Sequence, residues 1–265
     1  RHAEAILLRL RQELELGVNY RPCLPAADAL VPIKGVAAKD IRIEVFRENT
    51  EGPYCLRGHS GEGSAVDEAH HSEAAAGRLL EAAFARAQAA KLPLTLAHKA
   101  NVLKHGHGLW MRVFQACKAA HPSVEASAMH ADALLCALIQ RPAGFGVIAG
   151  DNFIGDLVSD LTAAFMGGMG LAPSLSTAPH RPFRCSALAE PVHGSAPDLA
   201  GTGRANPGGM ILSTALLFRH LGWEEEAAAI EASAAQALRA GAATPDLGGA
   251  LTTVEMGTVL RAGLG

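Results

Sequence analysis

Short apolar runs closed off by proline or glycine alternate along this chain with longer stretches of helical periodicity, and that alternation leaves few architectures open. Ile41-Arg42-Ile43-Glu44-Val45 switches between apolar and polar at every step, as a half-buried strand does. Leu94-Thr95-Leu96 and Phe145-Gly146-Val147-Ile148 are bounded by proline or glycine and fit interior strands. Between them, Leu79, Leu80, Ala83, Phe84 and Ala87 fall on one helical face, and Leu109, Trp110, Val113, Phe114 and Cys117 on another. Further on, Ala227, Ile230, Ala234 and Leu238 line a helix that opens with Glu224-Glu225-Glu226, acids well placed against the helix dipole. Glycines at 167, 168 and 170 and at 248 and 249 mark turns. The pattern predicts an α/β protein. With 265 residues, 49% of them hydrophobic, the chain can bury one large core or two lobes.

Composition removes several classes of function. A net charge of −3 argues against nucleic-acid binding, which calls for a basic surface. No apolar run approaches membrane-spanning length, and Arg1-His2-Ala3-Glu4 has no apolar signal core, so the expected setting is cytoplasmic with no membrane contact. The five cysteines are scattered without a CxxC pair and read as reduced, mostly buried small hydrophobes. Twelve histidines include His70-His71 and His105-Gly106-His107, yet none sits at a familiar zinc-ligand spacing; they are expected on surfaces and loops.

Four constellations carry chemistry. Asp156 and Asp160 stand four apart at what reads as the start of a helix over 156–165, one turn apart on one face. Paired carboxylates suit Mg²⁺ or Mn²⁺; the plain alternative is two solvated acids near a helix start. Arg11, Arg21 and Arg47 are guanidinium forks that, if they converge, would hold a di- or tricarboxylate; otherwise they are surface arginines. Tyr54 and Lys99 each follow a strand, one a proton donor and the other an amine whose pKa a cationic neighbour or metal would lower. Finally, the loop from Glu190 through His193, Ser195, Asp198 and Gly201 to Asn206 is rich in small residues ahead of a helix from about Gly208. Such a loop brings backbone amides close to an anion, but it lacks the GxGxxG spacing, so it is not a Rossmann fingerprint.

Taken together these segments resemble the β-decarboxylating dehydrogenase family, which includes isopropylmalate, isocitrate, homoisocitrate, tartrate and D-malate dehydrogenases. The likeness runs through Leu10-Arg11, Val18-Asn19-Tyr20-Arg21-Pro22, Arg47-Glu48-Asn49-Thr50-Glu51-Gly52-Pro53-Tyr54, and Lys99-Ala100-Asn101-Val102-Leu103. It continues in Asp132, Gly155-Asp156-Leu157-Val158-Ser159-Asp160, the Glu190–Asp198 segment, Thr244–Gly249 and Thr252-Thr253. The resemblance implies a two-lobed isopropylmalate/isocitrate dehydrogenase-like α/β fold with a central mixed sheet and a non-Rossmann nucleotide site. The implied nucleotide lobe is 1–16 with 168–265, its N-terminal part missing, and the substrate and dimerisation lobe is 17–167.

It also implies roles. Arg11, Arg21 and Arg47 clamp the carboxylates of a malate-type 2-hydroxy acid, with Leu7 lining the pocket. Asp156 and Asp160 of one subunit and Asp132 of its partner hold Mg²⁺ or Mn²⁺. Lys99, also from the partner, is the base, and Tyr54 is the acid that protonates the enolate carbon. Active sites are then shared across a homodimer. Glu4, His193, Gly194, Ser195, Ala196, Asp198 and Asn206 hold the cofactor. Asp198 accepts from ribose hydroxyls and repels a 2′-phosphate, which favours NAD; NADP-dependent relatives tend to carry lysine there.

Substrate choice in the family turns on the helix before Arg11. Isocitrate-type members carry Ser and Asn where this chain has Ala5 and Leu7, which offer a third carboxylate no hydrogen bond. The 47–52 segment, Gly108–Phe114 and Pro179–Phe183 look closer to tartrate and D-malate members, so 3-isopropylmalate and tartrate or D-malate both stay open. Homoisocitrate or isocitrate dehydrogenase and a catalytically silent regulatory subunit are the alternatives; silent subunits usually lose the base, the acid or a metal ligand. The family's opening glycine turn has no counterpart and the chain does not begin with Met, so it is expected to lack an N-terminal segment of its parent.

Overall fold

A computed structural model of the chain describes residues 2–179 and 187–264, with the backbone alone at 2–5. The strands are β1 (Val18–Cys23), β2 (Ile43–Glu48), β3 (Gly58–Ser60), β4 (Ala65–Asp67), β5 (Leu94–His98), β6 (Ala126–His130), β7 (Val147–Gly150), β8 (Pro173–Thr177) and β9 (Ala187–Pro191). The helices are α1 (His2–Glu13), α2 (Glu73–Ala90), α3 (Gly106–Ala120), α4 (Ala131–Gln140), α5 (Asn152–Phe165), α6 (Gly208–His220), α7 (Glu224–Arg239) and α8 (Thr253–Ala262).

A seven-stranded mixed sheet runs in the order β6-β5-β7-β2-β1-β8-β9, while β3 and β4 form a separate exposed hairpin. Four of its neighbouring strands are parallel, and their register is level. Arg47 of β2 lies beside Gly150 of β7, Gly150 beside Ala97 of β5, and Ala97 beside Met129 of β6. Parallel neighbours end on the same edge of a sheet. The segments that leave that edge carry Tyr54, Lys99, Asp132 and Asp151, residues far apart in the chain. The carboxyl edge of parallel strands is where open α/β sheets place ligands.

The chain packs as two compact units. The first is built around Ile43–Ser159; the second comprises Arg21–Arg42, Asp160–Leu175 and the chain from Ala187. The lobes implied by the resemblance, 17–167 against 1–16 with 168–265, are drawn at other boundaries and stand as a proposal. In the first unit, Leu79, Leu80 and Phe84 of α2 and Trp110 and Phe114 of α3 pack on Leu96, each buried side chain adding about 1.5–3 kcal/mol. Ser72 sets where α2 begins, its hydroxyl accepting the Ala75 N–H at 3.1 Å, and Lys91 ends it in the left-handed region. In the second unit, Leu171, Ala234, Leu238, Met256 and Leu260 form the core, and Thr252 with Glu255 makes a capping box at the start of α8.

Three expectations need correction. β2 begins at Ile43 and is buried along its whole length, so the alternation at 41–45 does not mark a half-buried strand. Glu44 is carried inside because Arg86 donates to both its carboxylate oxygens, at 2.5 and 2.9 Å, and Tyr20 donates to one of them. α5 starts at Asn152, a full turn before Asp156, because Asp151 accepts the Ile154 N–H at 2.8 Å and caps it there. Among the described cysteines, Cys23 and Cys117 are buried, Cys55 is intermediate and Cys136 is exposed, all as free thiols; Cys185 lies outside the described residues. Among the described residues no helix is long and apolar enough to cross a membrane.

Candidate active site

Arg47 is the penultimate residue of β2 and is almost fully buried, with every nitrogen of its fork engaged. Its Nε and Nη2 donate to Asn152 Oδ1 at 2.9 and 2.7 Å, and Nη1 pairs with Asp156. Asn152 in turn donates to the Glu51 carbonyl at 2.8 Å, which ties the start of α5 to the loop leaving β2. That loop is folded on Glu48, whose buried carboxylate accepts from the Thr50 N–H and hydroxyl and from the Glu51 N–H. Burial pushes the Glu48 carboxyl above its ordinary value. The loop delivers Tyr54, which donates to Asp156 Oδ2 at 2.5 Å while the Arg47 guanidinium lies 4.9 Å from its ring centroid. Gly155 makes this approach possible: a Cβ there would fall 2.9–3.1 Å from the Arg47 Cα, Cβ and Cγ.

Lys99 leaves the end of β5 and Asp132 opens α4 just beyond β6. Their side chains meet, Nζ to Oδ1, at 2.8 Å. The hydrogen bond from Lys99 holds the Asp132 carboxyl below its usual range although the group is largely exposed. The Lys99 backbone N–H donates to His107 Nδ1 at 2.9 Å.

α5 carries Asp156 and Asp160 one turn apart, both partly exposed, with hard oxygen donors of the kind Mg²⁺ and Mn²⁺ prefer. In the second unit, Arg21 is buried and its Nη1 lies 3.7 Å from Asp160 Oδ1. Arg11, near the end of α1, is buried, and Leu7 of the same helix is half-buried. The described residues therefore group as Arg47, Tyr54 and Asp156; Lys99 with Asp132; and Arg21 with Asp160.

The loop before α6 has a different character. Gly194, Ser195, Ala196 and Asp198 are exposed and His193 half-buried, so their polar groups face solvent, and Ala196 takes the left-handed region at φ 40°. Asn206 is buried: its Oδ1 accepts the Gly208 N–H at 2.8 Å and its Nδ2 donates to Asp246 at 3.1 Å. Thr253 holds the same loop from the other side, its N–H donating to the Gly203 carbonyl and its hydroxyl to that of Ala205. Asp246 and Thr253 are positioning residues that the sequence motif hinted at only through Thr244–Gly249 and Thr252-Thr253. The Glu4 side chain and residues 180–183 lie outside the described residues.

One grouping escaped the sequence reading altogether. His71, His107 and Asp151 offer ligand atoms that all lie within 4.8 Å of one another. His107 is buried within α3, which corrects the expectation of surface or loop histidines there; His71 sits in the loop before α2 with its side chain nearly buried. No spacing signals it, because the three arrive from the start of α2, the start of α3 and the end of β7.

Comparison with known proteins gives a consistent picture. Residues 1–260 match the family described as isocitrate/isopropylmalate dehydrogenase. The chain is 39% identical to a 3-isopropylmalate dehydrogenase from Thermobifida fusca over 260 residues, which is 95% of this chain and 72% of that protein. It is 37% identical to a probable tartrate dehydrogenase/decarboxylase from Bacillus subtilis over 255 residues, 95% of this chain and 71% of that one. Among solved structures, an isocitrate dehydrogenase from Methylococcus capsulatus superposes with a TM-score of 0.89 at 30% identity, covering 97% of this chain and 76% of that chain.

Proposed function

The chain belongs to the isocitrate/isopropylmalate dehydrogenase family, and on that footing we propose that it oxidises and decarboxylates a malate-type 2-hydroxy acid with NAD and a divalent cation. The substrate we infer is 3-isopropylmalate or a tartrate- or D-malate-like acid, since Ala5 and Leu7 give a third carboxylate nothing to bond. The observation that carries the reading is one carboxylate, Asp156, held between a buried arginine and a tyrosine hydroxyl at the carboxyl edge of parallel strands.

Arg11 and Arg21 would grip the substrate carboxylates with their guanidinium forks, and Arg47 would join them by turning its Nη1 from Asp156 to the substrate. Asp156 and Asp160 of one subunit, with Asp132 of the partner subunit, would hold Mg²⁺ or Mn²⁺; their part-exposed carboxylate oxygens fit such an ion, which supplies polarisation of the oxygen on C2. Lys99 of the partner subunit takes the proton of the 2-hydroxyl as C2 gives up its hydride. The bond from C3 to its carboxylate then breaks, CO₂ leaves, and its electron pair remains in the enolate. Tyr54 passes its phenolic proton to that carbon. Bound NAD supplies the hydride acceptor. The exposed Asp198 carboxylate and the small residues around it fit ribose hydroxyls, and a 2′-phosphate would meet like charge there.

A homodimer is part of the proposal. Phe153 and Leu157 stand exposed one turn apart on α5, beside the metal-ligand positions, and Ile139 of α4 is exposed as well. Such apolar surface favours a second copy. Lys99 and Asp132 are paired on a largely exposed Asp132, which supports their being offered together to a neighbour.

The test is a panel of 3-isopropylmalate, D-malate, tartrate, homoisocitrate and isocitrate with NAD and Mn²⁺, read as NADH absorbance. Turnover of one of the first three above isocitrate is expected. No NADH from any of the five would contradict the proposal.

A further inference from the structure

The buried histidine–aspartate grouping is not among the residues assigned so far, and its hydrogen bonds say what it can do. His107 Nδ1 accepts the Lys99 backbone N–H at 2.9 Å, and His71 Nδ1 accepts the Trp110 indole N–H at 3.2 Å. A neutral imidazole has one lone pair and one N–H, so a ring that accepts at Nδ1 carries its proton on Nε2. Both Nε2 atoms look toward the same carboxylate: His107 Nε2 is 3.3 Å from Asp151 Oδ2, and His71 Nε2 is 4.0 Å from it. The His107 Nε2 contact lacks the alignment of a full hydrogen bond, so its attraction to Asp151 is chiefly electrostatic. The other oxygen of Asp151 accepts the Ile154 N–H and caps α5.

Three such residues invite a transition-metal site, but the tautomers argue against one. A cation here needs a bare Nε2 on each ring, while both Nδ1 lone pairs are already taken by N–H donors. Each ring would have to lose its remaining proton. The arrangement fits a proton-bearing link instead, running from the Lys99 backbone through His107 and Asp151 to the first turn of the helix that carries Asp156. His71 backs it from the far side, its ring packed where a Cβ at Gly106 would fall 2.4 Å from it.

We propose that His107, oriented by Asp151 and His71, is a positioning residue that fixes the backbone from which Lys99 projects. This rests on Lys99 being the base, the reading given above. The ring does it through Nδ1 alone, so the two amide replacements of histidine should behave differently. His107→Asn puts its carbonyl oxygen where Nδ1 was and keeps the acceptor for the Lys99 N–H. His107→Gln places its polar end near Nε2 and leaves that N–H without a partner.

The test compares both variants with the parent protein in kinetics and in amide exchange at Lys99, alongside ¹⁵N NMR of the histidine rings. Expected are a kcat for His107→Asn within about threefold of the parent, and a loss of about tenfold or more for His107→Gln with KM for the hydroxy acid unchanged. Faster exchange of the Lys99 amide in His107→Gln only, and an Nε2–H tautomer for His107, are expected with them. Equal kcat in the two variants, or an Nδ1–H tautomer, would overturn the proposal; so would stoichiometric Zn²⁺ binding lost in His107→Gln. If the parent turns over no hydroxy acid, the assignment of Lys99 as base fails, and the tautomer and the exchange at Lys99 still decide whether His107 holds that backbone.

Discussion

Asp156 accepts from two donors of different kinds, and that difference separates catalysis from stability at the scale of single residues. Tyr54 is partly exposed and its hydroxyl donates to the Asp156 carboxylate, a charge-assisted hydrogen bond worth about 1.5–3 kcal/mol at most. Tyr54→Phe should therefore lower kcat by about 10²–10⁴-fold while costing no more than about 1.5–3 kcal/mol in urea unfolding. Arg47→Gln strips a buried charge from Asp156 and should cost about 3–5 kcal/mol in urea unfolding as well as activity. A Tyr54→Phe protein with parental kcat would remove that residue from the chemistry. Two histidines add a pH dependence. Burial holds His71 and His98 below the ordinary imidazole value, with His130 and His107 pushing His98 the same way, while Asp151 partly offsets the effect at His71. The folded protein thus prefers both rings neutral. Below about pH 6.5 the unfolded chain takes up protons that the folded chain resists, so stability is complete above that value and falls as pH drops toward the lowered folded values. Urea midpoints at about pH 7.5 and about pH 5.5 should show the decline, and a smaller one in His98→Asn, which keeps an acceptor for the Ala100 N–H. An undiminished decline would clear His98 of any part in it.

At the scale of elements, the helix α5 shows what the sequence made readable and what it hid. Asp156 and Asp160 were visible from spacing alone, because four residues make a turn wherever the helix begins. Its starting point was not visible: Asp151 reads as one more acid in the segment until its carboxylate is seen accepting the Ile154 N–H. The apolar stripes of α2 and α3 were readable for the same reason as the aspartates, being local and periodic. Buried charge was not, since Glu44 is neutralised by Arg86 from another element. His71, His107 and Asp151 were invisible because only the fold of β5 beside β7 brings their segments together. Arg11, Arg21, Arg47, Tyr54 and Lys99 emerged as a set only through the family resemblance. Gly155 gives a prediction that belongs to this scale. Alanine there drives Cβ into the stem of Arg47 and should destabilise by about 1–3 kcal/mol, whereas Gly77→Ala in α2, where nothing lies within 4 Å, should stabilise by about 0.5–1 kcal/mol. Equal effects of the two in urea unfolding would mean that helix propensity, not the packing on Arg47, governs position 155.

For the whole molecule, the deciding question is whether one active site draws on two chains. In one chain Tyr54 meets Asp156, and Lys99 meets Asp132, so each pair is available as a unit. The proposal joins the first pair of one subunit to the second pair of its partner. Mixing Lys99→Ala and Tyr54→Phe subunits tests this directly, because a mixed dimer then holds one site with both residues intact and one with neither. After unfolding and refolding the two inactive proteins together, half of the dimers are mixed, and about a quarter of parental NADH production should return. If the refolded mixture stays as inactive as its two components, Lys99 and Tyr54 act from the same chain and the shared site is wrong.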